Sequence, residues 1–334
     1  MNAQVQPPFR KDETLERLLE EVNRLLAPAE ETVLARYRMP RWPVVIIVGA
    51  PRCGSTLTLQ WLAATGRFAY PTNLLSRFYG APYIGARIQQ ILTEHDFQGE
   101  IFDFNPEVPF TSNLGKTRGA LAPHEFWYFW RRFFRATDTH RLAPEEVQHA
   151  DTARFAAELA ALEDAFGKPL AMKGMLLNWN IPDVSRALEK AIFLHVKRHP
   201  FYNIQSQLEA RVKYFGRREP WHSLKPPEYH WLKDLSPIEQ VAGQIYYTVR
   251  AVEAGLAQLP PARRLEIRYE DFCAHPEQLF QQLAEKFAQQ GCSLAGPYKG
   301  PARFKVANRL RLPEADCRAI IAAYRRFSGE EIAP

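Results

Sequence analysis

Cysteine is scarce in this chain, with four residues, at positions 53, 273, 292 and 317, among 334. None forms a C-x-x-C pair and no histidine cluster stands beside them. That excludes the common zinc spacings and a secreted disulfide scaffold, so no metal is expected. Long apolar runs are also missing. The strongest, Val44 to Val48, is far too short to cross a bilayer. The opening MNAQVQPPFRKDETLERLLEE has no apolar centre of the secretory type. The expectation is a reduced, cytoplasmic setting, with peripheral contact with a membrane surface left open. A long basic arm, zinc-finger spacing and an RNA-binding aromatic motif are absent as well. The basic residues come in short pairs such as Arg131-Arg132 and Arg263-Arg264. No nucleic-acid partner is therefore expected, although a formal net charge of +6 suits an anionic ligand.

What is present describes an ordinary globular chain, 46% apolar and 24% charged. Its length allows one large α/β domain with insertions. Short β-branched or apolar runs at 44–48, 169–173, 191–196 and 265–269 alternate with helical patterns. These include 13–27, 55–65, 151–166, a helix after Pro200, one capped by Ser236-Pro237-Ile238-Glu239, and a last one from near Pro313 to Phe327. The pattern predicts an α/β, three-layer fold: a mostly parallel central sheet with helices on both faces. Residues 1–40 are expected to be an N-terminal helical extension packed on a single domain over 41–334. That domain would carry an insertion at about 67–150 that builds the acceptor side of a cleft. Nothing in the pattern bears on oligomeric state.

The most informative segment is RWPVVIIVGAPRCGSTLTLQWLAATG, residues 41–66. A β-branched strand runs into a turn with Gly49, Pro51, Arg52, Cys53, Gly54, Ser55 and Thr56, and then into a helix. Backbone N–H groups at such a turn, with a helix N-terminus behind them, bind phosphate. The loop nearly spells G-x-x-x-x-G-K-[ST], but Ser55 stands where the lysine belongs. Arg52 adds a guanidinium that can fork onto phosphate or sulfate oxygens. In a parallel sheet, ligands collect beyond the carboxyl ends of the strands. Those ends carry this loop, Lys173, Lys197-Arg198 and Tyr269-Glu270-Asp271, so one crevice is expected to gather them.

These motifs resemble the sulfotransferases that use 3′-phosphoadenosine 5′-phosphosulfate (PAPS), in particular the bacterial and carbohydrate-type branch. The family's loop G-x-P-R-x-G-S-T-L matches GAPRCGSTL at 49–57. An arginine with a serine eight residues on matches Arg198 and Ser206 in KRHPFYNIQS. The strand ending Y-E-D-[LF] matches RYEDFCAHPEQLF at 268–280. The resemblance spans about 43–328 and implies a fold of the P-loop NTPase type. It implies that the first loop holds the 5′-phosphosulfate end, Arg198 and Ser206 the 3′-phosphate, and that Tyr269 lies near the adenine. Lys173 in KPLAMKG is the implied catalytic lysine. Lys299, Lys305 and Arg309 in YKGPARFKVANR are the implied basic loop over the 3′-phosphate. The glutamate that tyrosyl-protein sulfotransferases place after the first helix has no match in RFAYPTNLLSRF.

The general base is left between His124 and Glu125 in APHEFW. The first has the better intrinsic pKa, and the second gains basicity from an apolar wall. The aromatic run Phe126 to Phe134 reads either as a buried helix or as the wall of an acceptor pocket. Sulfuryl transfer to a sugar, lipid or other alcohol, with no metal required, is the implied reaction. A nucleotide-dependent kinase and a non-enzymatic nucleotide-binding protein of the same fold are the alternatives.

Overall fold

Four short runs become the strands of one sheet: β1 (Val45–Val48), β2 (Ala171–Lys173), β3 (Ile192–Lys197) and β4 (Arg264–Arg268). The structure, a computed structural model, describes residues 5–96, 110–294 and 296–334. All neighbouring strands are parallel, in the order β2-β1-β3-β4. Ile47 pairs with both Lys173 and Leu194, and Lys197 pairs with Arg268. Every residue of β1 is buried, as both-face coverage of a parallel sheet demands. The edge strand β4 instead turns Glu266 and Arg268 to solvent, which discourages pairing with another chain.

Helices fill every connection. α1 (Glu13–Leu34) precedes β1. α2 (Ser55–Ala64), α3 (Pro82–Thr93), α4 (Trp127–Phe133), α5 (Pro144–Gln148) and α6 (Thr152–Phe166) lie between β1 and β2. α7 (Ile181–Ala187) links β2 to β3, and α8 (Pro200–Phe215), α9 (Tyr229–Leu232) and α10 (Pro237–Ala257) link β3 to β4. α11 (Tyr269–Ala274), α12 (Pro276–Gln289) and α13 (Glu314–Ser328) close the chain. The α10 start is the capping box read from the sequence: Ser236 accepts the Glu239 N–H at 3.3 Å and the Glu239 carboxylate accepts the Ser236 N–H at 3.2 Å. One core surrounds the sheet, and a second forms where Phe201, Ile204 and Leu208 of α8 meet Val241 and Ile245 of α10 and Ile320 of α13.

Two local readings differ from the sequence expectation, and a third that the sequence left open is decided. α1 continues through Pro28 to Leu34, and its buried side is Leu19, Asn23, Glu30 and Leu34. Leu18, Val22 and Leu25, expected on the packed face, point outward. The reason is polar: Glu30 accepts the N–H groups of Tyr83 and Ile84 at 2.8 and 3.1 Å and so caps α3, which fixes the rotation of α1. Second, β4 stops at Arg268, and Tyr269 opens α11 rather than ending the strand. Third, the aromatic run is chiefly a buried helix. Phe129, Trp130, Phe133 and Phe134 all pack around Phe155 of α6, with ring centroids 5.3–6.1 Å away. The fully buried Glu158 receives Arg132 through two 2.7 Å bonds and Arg154 at 2.8 Å, which ties α4 to α6. Residues 97–109 of the insertion expected at 67–150 lie outside the described residues.

The turn after β1 is held by side chains from two other strand exits. Asn178, fully buried beyond β2, accepts the Gly49 N–H at 3.0 Å and donates to the Gly49 carbonyl at 2.8 Å. Asn203 of α8 donates to the Pro51 carbonyl. Gly49 has φ 147°, and a Cβ there would sit 2.6 Å from the Val196 carbonyl oxygen. Asn178→Ala removes both bonds and leaves two buried backbone groups unpaired. The expected loss of stability is about 2–4 kcal/mol by chemical denaturation. A loss below about 0.5 kcal/mol would show that the clamp is not what holds the turn.

Candidate active site

The sheet order places a topological switch at β1, because β2 lies on one side of it and β3 on the other. The crevice beyond the carboxyl ends of β1 and β3 is where such sheets bind ligands. A cavity of about 1210 Å³ opens there. Its floor includes Arg52, Gly54, Ser55 and Thr56 of the turn, Lys173 from β2, and Arg198 just after β3.

Gly54 adopts φ 104° as the N-cap of α2, and a Cβ there would collide with the Tyr269 ring. The first-turn N–H groups of α2, from Ser55 onward, have no intrahelical carbonyl to bond. Thr56 and Leu57 line the cavity, with the positive end of the helix dipole behind them. Gly49 and Cys53 lie beneath this surface, and Cys53 is wholly buried, which pushes its thiol up.

Two guanidiniums flank the turn. Arg52, itself at φ 67°, reaches Ser206 of α8 at 3.4 Å through Nε. Arg198 donates to the Arg52 carbonyl at 3.0 Å, to Asn308 Oδ1 at 2.9 Å and to the Ala307 carbonyl at 3.3 Å, and it stacks 5.0 Å over the Tyr269 ring. Among the described residues neither arginine has a carboxylate within ion-pair distance. Burial lowers the pKa of both, and for Arg52 the Arg198 charge lowers it further. Two adjacent cations without a counter-charge are a site for an anion.

Lys173 is nearly buried, 4% exposed, and its Nζ donates to Thr56 Oγ1 at 2.9 Å and pairs with Glu125. β2 thus delivers a cation to the loop whose own position 55 lacks one. Glu125 also accepts the Trp127 indole N–H. Burial alone would push the Glu125 carboxyl up, but Lys173 and Trp127 outweigh it and hold it below the usual range. His124 is pulled down to about 4 by burial, and its Nδ1 accepts the Phe126 N–H at 2.9 Å. Both His124 and Glu125 line the cavity, as does Trp127, the one member of the aromatic run there among the described residues.

The loop 298–312 docks by routes the sequence reading missed. Ala307 donates its N–H to the Tyr269 hydroxyl at 3.1 Å, Asn308 bonds Glu270 at 2.7 Å, and Gln205 holds the backbone of Arg309 and Arg311. Lys299, Lys305 and Arg309 themselves lie exposed on this loop, outside the cavity lining. Lys197 turns away to Glu253 and Glu266.

A turn at Asn113–Lys116 closes over the centre. Asn113 and Lys116 exchange backbone bonds at 2.8 and 3.0 Å, with Leu114 at φ 52° and Gly115 at φ 88°. A Cβ on Gly115 would lie 3.4 Å from Glu125 Oε1 and 3.5 Å from Thr56 Oγ1. Only glycine suits that φ beside those groups. Among the described residues no group of three or more His, Cys, Asp or Glu is arranged to hold a metal, and no helix is long and apolar enough to cross a membrane.

Comparison with known proteins agrees with this arrangement. Solved structures of the same fold include the sulfotransferase STF9 from Mycobacterium avium, 14% identical, with 99% of this chain and 80% of that one covered at a TM-score of 0.53. The sulfotransferase STF1 from Mycobacterium tuberculosis H37Rv is also 14% identical, with 94% and 82% covered at a TM-score of 0.50. A search of curated proteins gives no significant match. The sulfotransferase family profile matches residues 43–289, from the strand before the glycine turn to the end of α12, and the chain belongs to that family.

Proposed function

We propose that this chain transfers a sulfuryl group from PAPS to an alcohol hydroxyl, on a P-loop-type scaffold. The observation that carries the reading is the pair Arg52 and Arg198, side by side on one cavity and without a carboxylate partner. A nucleotide with anionic groups at both its 5′ and 3′ ends fits that set. Arg198 and Ser206 would hold the 3′-phosphate. Arg52, the Ser55 and Thr56 hydroxyls and the first-turn N–H groups would hold the 5′ end. Tyr269, already stacked under Arg198, would border the adenine. Lys299, Lys305 and Arg309 could reach the ligand only through movement of their loop.

The donor supplies an activated sulfuryl group on a phosphate oxygen. Lys173, held to Thr56, stands where negative charge on that oxygen needs a cation. Glu125 is the better base of the two candidates. It faces the cavity as a carboxylate and can take the hydroxyl proton on Oε1, against the wall of Trp127. Drawing Lys173 toward a bound anion loosens its hold on Glu125 and raises the carboxylate's basicity. His124 keeps Nδ1 on the Phe126 N–H and so fixes the turn that presents Glu125. The kinase alternative is disfavoured by Ser55 in place of the loop lysine.

Arg198→Ala should weaken binding of adenosine 3′,5′-bisphosphate by about 30-fold or more in titration calorimetry, while the melting temperature changes little. Unchanged affinity would overturn the donor assignment. With an accepted alcohol, Lys173→Ala and Glu125→Gln should each lower kcat by about 100-fold or more, and His124→Ala by less than about tenfold. A Lys173→Ala loss confined to the acceptor KM would remove its catalytic role. The acid limb of kcat/KM follows from the lowered Glu125 pKa. The base must be unprotonated, so activity should persist as pH falls through 6.5, the ordinary histidine value, and fail only below the ordinary carboxylate range. A half-loss near pH 6.5 would point to a histidine base outside this pair.

A further inference from the structure

The donor accounts for only part of the cavity. Beyond Lys173 the walls come from elsewhere: Phe9 ahead of α1, Tyr214 and Phe215 at the end of α8, Trp221 and His222 after it. Phe9 stacks on Tyr214 at 5.0 Å, and the Gln6 N–H bonds the Tyr214 carbonyl at 2.9 Å, so the N-terminal segment closes this side. Three cations also line it: Arg77, Lys116 and Arg118. None has an ion-pair partner among the described residues. Lys116 has only the face of Phe9, 5.5 Å away. Glu16 feels the Arg77 charge, but it is already bonded to Lys11 at 2.8 Å and to Tyr128. Among the described residues the cavity is lined by one carboxylate, Glu125, and that one is paired with Lys173.

Arg77, Lys116 and Arg118 are not among the groups assigned to the donor, which are Arg52, Arg198, Lys173 and the helix N-terminus. Arg77 and Lys116 belong to the side of the candidate base, where both add to the effect of burial on His124. A neutral alcohol would leave these two charges without a partner. An anionic alcohol is drawn in and oriented by them.

Resting on the sulfotransferase reading, we propose that the acceptor is itself an anion: a hydroxyl compound bearing a carboxylate, phosphate or sulfate, bound through that group by Arg77 and Lys116, with its body against Phe9 and Trp221. This replaces the apolar acceptor that the aromatic run suggested, since that run is mostly buried in the core.

Matched probes test it. Binding of 4-nitrophenyl β-D-glucuronide and the glucoside, and of 3-(4-hydroxyphenyl)propanoate and its methyl ester, is measured by calorimetry with and without saturating adenosine 3′,5′-bisphosphate. At least one acid should bind about tenfold or more tightly than its neutral partner, and the preference should shrink as salt rises. Arg77→Ala/Lys116→Ala should bring the preference to within about twofold while bisphosphate affinity stays within about twofold. Both side chains are exposed, so the fold should survive, and the melting curve checks this. Equal binding of acids and neutral partners, binding of neither, or a preference that persists in the double variant overturns the proposal. Failure of the bisphosphate itself to bind would strike the donor reading instead, and the unloaded arm keeps the two apart.

Discussion

Two guanidiniums held together without a counter-charge are the constraint on which the site depends. Arg198 donates to the carbonyl of Arg52, so the second cation is anchored to the backbone that presents the first. Holding them is a standing cost: burial lowers the pKa of both, and for Arg52 the Arg198 charge lowers it further. The fold tolerates it because the rest of the turn is over-determined. Asn178 grips Gly49 from both sides, Asn203 grips Pro51, and Gly54 lets the Tyr269 ring approach so closely that no other residue fits. A bound anion would relieve that cost.

The loop carries serine at position 55, and a lysine reaches it from the neighbouring strand. Ile47 pairs with Lys173 across β1 and β2, so the register of two parallel strands sets the height of that ammonium over Thr56. A slip of one residue would turn Lys173 to the opposite face of the sheet. The placement of Lys173 is therefore a property of the sheet rather than of the turn. The same register leaves Lys173 between an anion site and a carboxylate. That position lets one cation answer two negative partners in turn.

Much of this was legible in the residues. The strand, glycine turn and helix at 45–64, the lysine closing β2 and the arginine closing β3 are local patterns, and parallel topology brings them to one end. Arg52, Arg198, Lys173 and the two base candidates all reach a single cavity. What was not legible is contact between distant segments. Asn178, Asn203 and Asn308 are single amides whose partners lie 129, 152 and 110 residues away, and no spacing rule announces them. The outward turn of Leu18, Val22 and Leu25 had the same origin, because Glu30 capping α3 outweighed the apolar stripe of α1. The contacts of the basic loop were hidden for a related reason. Its lysines carry the charge, yet its backbone at Ala307 and the amide of Asn308 make the contacts.

The proposed acceptor side shows why substrate identity resists sequence reading in this architecture. Its walls are drawn from residues near 9, 77, 116, 125 and 221, each on a different connection and none in regular register with another. The donor side depends on strand ends that the sheet fixes, so a change there disturbs the core. The acceptor side depends on Phe9 meeting Tyr214 and on a turn with Gly115 at φ 88°. Such contacts can be exchanged without cost to the sheet. A chain built this way keeps its donor chemistry under the constraint of the fold and leaves its acceptor to the loops. The charge carried by those loops is then the feature that speaks most directly about what the protein receives.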